Sequence, residues 1–111
     1  MPIRNWTFAA ALAASALVPG ASMAQGTYPD RTITLVVPYA AGGPTDTVAR
    51  LVAEPMSKAL CQQVIIENMG GASGTIGAGQ VARAEPDGYT LMLHTSAQAT
   101  NDLFYDKLAY G

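Results

Sequence analysis

The chain has 111 residues, half of them apolar and few of them aromatic, with one cysteine and a formal net charge of −2. That length holds one small domain or a piece of a larger one. The composition excludes a disordered chain, and no basic patch points to nucleic acid. The single cysteine, Cys61, excludes an internal disulfide and has no Cys or clustered His partner for a zinc site.

The N-terminus reads as an export signal. Arg4 supplies the positive charge, Trp6 to Val18 an alanine-rich apolar stretch, and Pro19-Gly20 its end. Ser22 and Ala24 are the small residues at −3 and −1 of a cut after Ala24. A membrane-spanning helix needs about 20 apolar residues, and this run is shorter. Residues 1–24 are therefore expected to be a cleaved signal peptide and the mature chain periplasmic.

Tyr28-Pro29-Asp30 opens the mature chain as an extended or turn segment, because the residue before proline avoids the helical region. Arg31 to Val37 ends in a continuous apolar run, the pattern of a strand buried on both faces of a parallel sheet. Tyr39 to Pro44 is a loop, and Thr45-Asp46-Thr47 an N-cap cluster with a carboxylate in the first turn. From there Val48, Leu51, Val52, Met56, Ala59 and Leu60 recur at helical spacing and predict a helix. Pro55 lies inside this helix and predicts a kink, and Cys61 is expected to end it as a buried small residue. The unit repeats: strand Gln63–Glu67, glycine-rich loop Asn68–Gly74, helix Thr75–Ala84. A turn at Glu85–Gly88 leads to a third strand, Tyr89–His94, then a loop at Thr95-Ser96 and a third helix over Ala97–Lys107.

Strands alternating with helices predict an α/β fold of parallel, right-handed β-α-β units. Ligands in such sheets bind beyond the carboxyl ends of the strands, and all three loops lie there. Paired glycines before a helix start, in Tyr39–Asp46 and again in Gly70–Gly77, let backbone N–H groups approach an anion. The alternative for each loop is a tight turn with no ligand. None of the three loops contains Lys or Arg, so an anion would be held by amides and hydroxyls.

Two other chemistries have partial matches in the sequence. Gly77-Ala78-Gly79-Gln80-Val81-Ala82 fits a dinucleotide fingerprint, but it starts too far after the strand and no acidic residue closes the next one. No cofactor is expected. Ser73 or Ser96 with His94 and Asp46 could share one rim as a hydrolytic set, although no spacing specifies it.

From Tyr28 onward the motifs resemble the Bug-type (TctC-like) receptors of tripartite tricarboxylate transporters. The residues are Tyr28-Pro29-Asp30-Arg31, Val36 to Gly43 with Asp46, Ile66-Glu67-Asn68, Gly71-Ala72-Ser73-Gly74 with Gly77, and Pro86-Asp87-Gly88-Tyr89-Thr90-Leu91. The resemblance implies a periplasmic binding protein-like (type II) fold, of which residues 25–111 would be only the N-terminal part of the first lobe. It implies a monomeric receptor, without catalysis, that binds a small carboxylate and delivers it to a membrane transporter of one large and one small subunit. Carried over by motif, Tyr39, Ala41, Gly43 and Asp46 form the first ligand loop. Gly71, Ala72, Ser73, Gly74 and Thr75 form the second, and Thr95 and Ser96 the third. For Asp46, stabilising the helix start remains an equal alternative. Pro44, Cys61 and Met69 depart from the family pattern. The second lobe is absent, so the ending reads as truncation.

Overall fold

The computed structural model describes residues 26–110; the signal peptide read over residues 1–24 lies outside them. The order is β1 (Ile33–Val37), α1 (Pro44–Leu60), β2 (Val64–Asn68), α2 (Thr75–Arg83) and β3 (Thr90–Met92). One 3-10 turn, Ala72–Gly74, precedes α2, and two more, Ser96–Ala99 and Asn101–Leu103, follow β3. The three strands are parallel in the order β2-β1-β3, with Leu35 opposite Ile66 on one side and Leu91 on the other. The α/β reading with parallel β-α-β units is the fold the chain adopts.

The continuous apolar run in β1 puts that strand at the centre. Ile33, Leu35, Val36 and Val37 are all buried. Side chains of opposite parity meet different helices. Leu35 and Val37 pack with Ala49 of α1, while Pro38 lies against Gly77 of α2, where an added Cβ would come within 2.8 Å of the Pro38 ring. The chain moves from β1 to β2, then back across to β3. This reversal creates a switch point at the carboxyl ends of β1 and β3, where such sheets bind ligands. The amino ends are tied separately. The Tyr28 hydroxyl donates to the Gly88 carbonyl at 2.7 Å, Tyr89 to Asp30 at 2.7 Å, and Arg31 pairs with Asp87 at 2.8 Å.

Several expectations are corrected. Helix α1 starts at Pro44, with Gly43 as its N-cap, rather than after a Thr45-Asp46-Thr47 cap cluster. Pro44 occupies the first helical position, where its missing N–H has no partner to lose. The buried face of α1 is Asp46, Ala49 and Ala53, whereas Val48, Leu51 and Val52 are exposed. Small residues let the helix lie close to the sheet, so they take the inner face. The helix runs unbroken across Pro55, which sits on the exposed side. No third α-helix forms among the described residues. Side chains in that segment bond to nearby backbone instead: Thr100 Oγ1 donates to the Ala97 carbonyl at 3.3 Å, and Thr95 Oγ1 accepts from the Ala97 amide at 3.4 Å. The Asn101 side chain turns inward and donates to the Tyr110 hydroxyl at 3.1 Å.

Cys61 is exposed, not buried, and it ends α1 in the left-handed conformation at φ 52° and ψ 27°. Glycine adopts that conformation without the Cβ penalty of roughly 1 kcal/mol. Cys61→Gly is expected to raise the thermal midpoint by about 4–8 °C, the shift that 1 kcal/mol gives a domain of this size. A lower midpoint would show that the cysteine contributes more than its backbone conformation costs.

Candidate ligand-binding site

The loops that leave the three strands are drawn together at the carboxyl edge of the sheet. Tyr39, just past β1, places its hydroxyl 2.6 Å from Thr95 Oγ1, just past β3. Its ring stands edge-on to His94 at 5.4 Å between centroids. Asn68, the last residue of β2, donates from Nδ2 to the Tyr39 carbonyl at 3.3 Å and to Asp46 Oδ1 at 3.0 Å. Gly74 closes the second loop against the third, since the His94 ring and Pro38 leave no room for a Cβ there. Tyr105, downstream of the last 3-10 turn, donates to Ser73 Oγ at 3.2 Å.

Asp46 is 2% exposed. Its carboxylate accepts from the Gly42 amide at 2.8 Å, from Arg50 Nε at 2.9 Å and from Asn68. The Arg50 guanidinium, then the Gly42 and Asn68 donors, lower its pKa from 3.8 to about 2. A carboxylate with three donors stabilises the start of α1, one of the two roles open to it from the sequence. It also supplies the negative charge that the amino end of α1 favours.

The second loop is different. Gly71, Ala72, Ser73 and Gly74 have φ values of 131°, 46°, 53° and 89°, four left-handed residues in succession. Two of them carry a Cβ, and each of those costs about 1–2 kcal/mol in that conformation. Such strain is held where the surroundings require it. The Gly74 amide bonds to the Gly71 carbonyl at 2.9 Å, and the Thr75 amide to the Ala72 carbonyl. The amides of Ala72 and Ser73 have no partner among the described residues. Thr75 opens α2, and no acidic residue lies in that helix's first turn. The positive end of α2 is thus uncompensated, beside exposed Gly71, Ala72 and Ser73.

A hollow of about 240 Å³ lies between the first turn of α1 and the exit of β3, lined by Pro44, Thr45, Val48, Leu93, His94 and Thr95. It sits at the switch point. Ala41 and Gly43 lie on the loop that precedes it, with Ala41 exposed and Gly43 half-buried, and Ser96 starts the 3-10 turn on its far side. Gly77 and Gly79 of the fingerprint-like run are inside α2, and they are small because Pro38 and Ala109 press on them. Among the described residues, no group of His, Cys, Asp or Glu could hold a metal.

Residues 48–111, more than half of the chain, match the model of the family described as "Tripartite tricarboxylate transporter family receptor". The chain belongs to that family. A UPF0065 protein from the TAR-I ttuE-ttuC' intergenic region of Agrobacterium vitis is 53% identical over 106 residues, covering 96% of this chain and 31% of the relative. The R. palustris protein Rpa4515, solved with adipate, aligns with a TM-score of 0.72 at 44% identity, over 76% of this chain and 28% of its own. MatC from Rhodopseudomonas palustris, solved with malate, aligns with a TM-score of 0.57 at 60% identity, over 59% and 22%. This chain therefore spans about a third or less of the length of these relatives.

Two residues of the candidate site were not among those read from the sequence. Asn68 was visible only as part of the Ile66-Glu67-Asn68 motif, and nothing in the sequence showed that its amide bridges two loops. Tyr105 lay in the segment read as helix. No serine hydroxyl is hydrogen-bonded to His94 among the described residues; Nδ1 of that ring accepts from the Thr95 amide at 2.8 Å and lies 3.3 Å from the Tyr39 hydroxyl.

The low pKa of Asp46 sets a pH dependence. Its folded value, about 2, lies below the unfolded carboxylate value of about 3.9. The stabilisation from this group is complete above the unfolded value and lost as pH falls through the folded one. Urea midpoints should fall between pH 4 and pH 2, and Asp46→Asn should lose that slope while being less stable at pH 7. An unchanged slope in the variant would assign the acid sensitivity elsewhere.

Proposed function

We propose that this chain supplies the carboxylate-binding loops of an exported, periplasmic solute receptor that delivers a small organic acid to a tripartite tricarboxylate-type transporter. It does so without catalysis and as a monomer. The observation that carries the reading is the left-handed turn Gly71–Gly74 at the uncompensated amino end of α2. The amides of Ala72 and Ser73, without a partner among the described residues, and the Ser73 hydroxyl, which accepts from Tyr105 and keeps its own proton, suit a carboxylate group. Thr75 Oγ1, by contrast, already donates to the Ala72 carbonyl at 2.9 Å, and Thr95 Oγ1 pairs with the Tyr39 hydroxyl. Tyr39, Ala41 and Gly43 form the facing loop, Ser96 extends the third, and Asp46 holds the first loop in place. The hollow beside Thr45 and Thr95 offers room for part of the acid's carbon chain. Adipate and malate, bound by two structural neighbours, are the first candidates. A hydrolytic reading gains no support, because the serines and His94 are not coupled.

Thermal melts of the full chain with adipate, malate and uncharged adipamide test this reading. An acid at about 100 times its Kd should add about 2.7 kcal/mol of stability, and adipamide should add none. If no acid moves the midpoint, or if adipamide moves it equally, the reading fails. Ala72→Gly should stabilise the free chain by about 1 kcal/mol yet weaken acid binding, since the turn would no longer be held in shape.

A further inference from the structure

Leu103 and Phe104 are 77% and 78% exposed, yet the next residue, Tyr105, is half-buried. Its hydroxyl donates to Ser73 Oγ at 3.2 Å, across 32 positions of the chain. The local backbone fixes that direction. The Tyr105 amide bonds to the Asn101 carbonyl at 3.0 Å. Asn101 is 2% exposed, and its side chain is held by the Tyr110 hydroxyl at 3.1 Å. Farther on, Ala109 presses on Gly79 of α2, where an added Cβ would lie 2.7 Å from the alanine methyl. The segment that presents Tyr105 is thus pinned beside the third loop and again on α2, the helix that the Gly71–Gly74 turn leads into.

The bond matters for what it does to Ser73. A serine hydroxyl has one proton and two lone pairs, and an unpaired one rotates to suit its surroundings. Ser73 is exposed, and it is the one residue of Gly71–Gly74 whose side chain can donate a hydrogen bond. With the Tyr105 proton on one of its lone pairs, the serine proton has no partner among the described residues and is free to donate. Released from Tyr105, the same hydroxyl can turn its proton onto a nearby carbonyl. Thr75 does this two positions on, where its hydroxyl bonds to the Ala72 carbonyl at 2.9 Å.

We propose that Tyr105 is a positioning residue that sets the Ser73 hydroxyl as a third donor beside the amides of Ala72 and Ser73. The inference rests on the function proposed above, because the group received is the same carboxylate. Tyr105 commits its own proton to Ser73 and acts through that residue. A donor oriented before the ligand arrives loses less freedom on binding, so the effect falls on affinity. The competing role for Tyr105 is to clamp the left-handed turn, and the two roles separate in the free chain. A clamp shapes the backbone, whereas a positioning residue leaves it alone.

The test is calorimetric titration of the full chain with adipate and malate, in the unaltered protein, Tyr105→Phe, Ser73→Ala and the double variant. Tyr105→Phe should weaken binding by about three- to tenfold, the range that losing one oriented hydrogen bond gives. Ser73→Ala should weaken it at least as much, and adding Tyr105→Phe to Ser73→Ala should cost nothing further. In the free Tyr105→Phe chain, the three-bond amide couplings of Ala72 and Ser73, which report φ, should stay unchanged. Altered couplings would make Tyr105 a clamp and overturn the proposal. So would unweakened binding by Tyr105→Phe, or an equal loss with and without Ser73. If the unaltered chain binds neither acid, the carboxylate reading fails and this role fails with it. If that chain binds and Tyr105→Phe binds equally well, the positioning role alone is lost.

Discussion

Asp46 is where the first loop, the first helix and the second strand are joined. A carboxylate out of solvent is costly unless donors surround it, and here backbone, guanidinium and amide each supply one. Each donor comes from a different part of the carboxyl edge. The bond from Gly42 fixes the turn that leads into α1, and the bond from Asn68 ties that turn to the end of β2. Asn68 also holds the Tyr39 carbonyl, and Tyr39 reaches Thr95 on the far side of the sheet. One ionised side chain thus orders a path across all three strands.

That arrangement divides the labour between the two helix starts. The amino end of α1 is already matched by a charge from its own first turn. The amino end of α2 has no such charge, and the turn before it is wound left-handed through two residues that resist that conformation. The strain is stored where two amides have no partner among the described residues. For the function proposed above neutral donors are suitable, because an anion held by amides and hydroxyls avoids the desolvation of a buried cation and would be released readily. In the proposed function both helices serve the site, one by holding its frame and the other by facing the ligand.

Much of this was legible in the sequence. The run ending in Val36-Val37 marked β1 as a strand buried on both faces of a parallel sheet, and the glycine loops fell at the carboxyl edge because strand and helix alternate. Periodicity also located α1, but it could not say which half of a wide apolar arc meets the sheet. Alanine took the inner side because it permits close approach, and the larger Val48, Leu51 and Val52 were left outside. The segment after β3 was expected to be a third helix, yet Thr95, Thr100 and Asn101 divert its hydrogen bonds into short turns and a buried side-chain contact. Cys61 shows the same limit. Its place at the helix end was readable, but its exposure depends on the direction of the chain beyond it. The Asn68 bridge is a contact across the fold, which no local pattern encodes.

The central claim is that the Gly71–Gly74 turn receives a carboxylate, and amide chemical shifts in the nitrogen-15-labelled chain test it most directly. On titration with adipate or malate, the amides of Ala72 and Ser73 should move most, with smaller changes at Ala41, Gly43, Thr95 and Ser96. Saturating shifts centred elsewhere, or none at those two amides, would contradict the account.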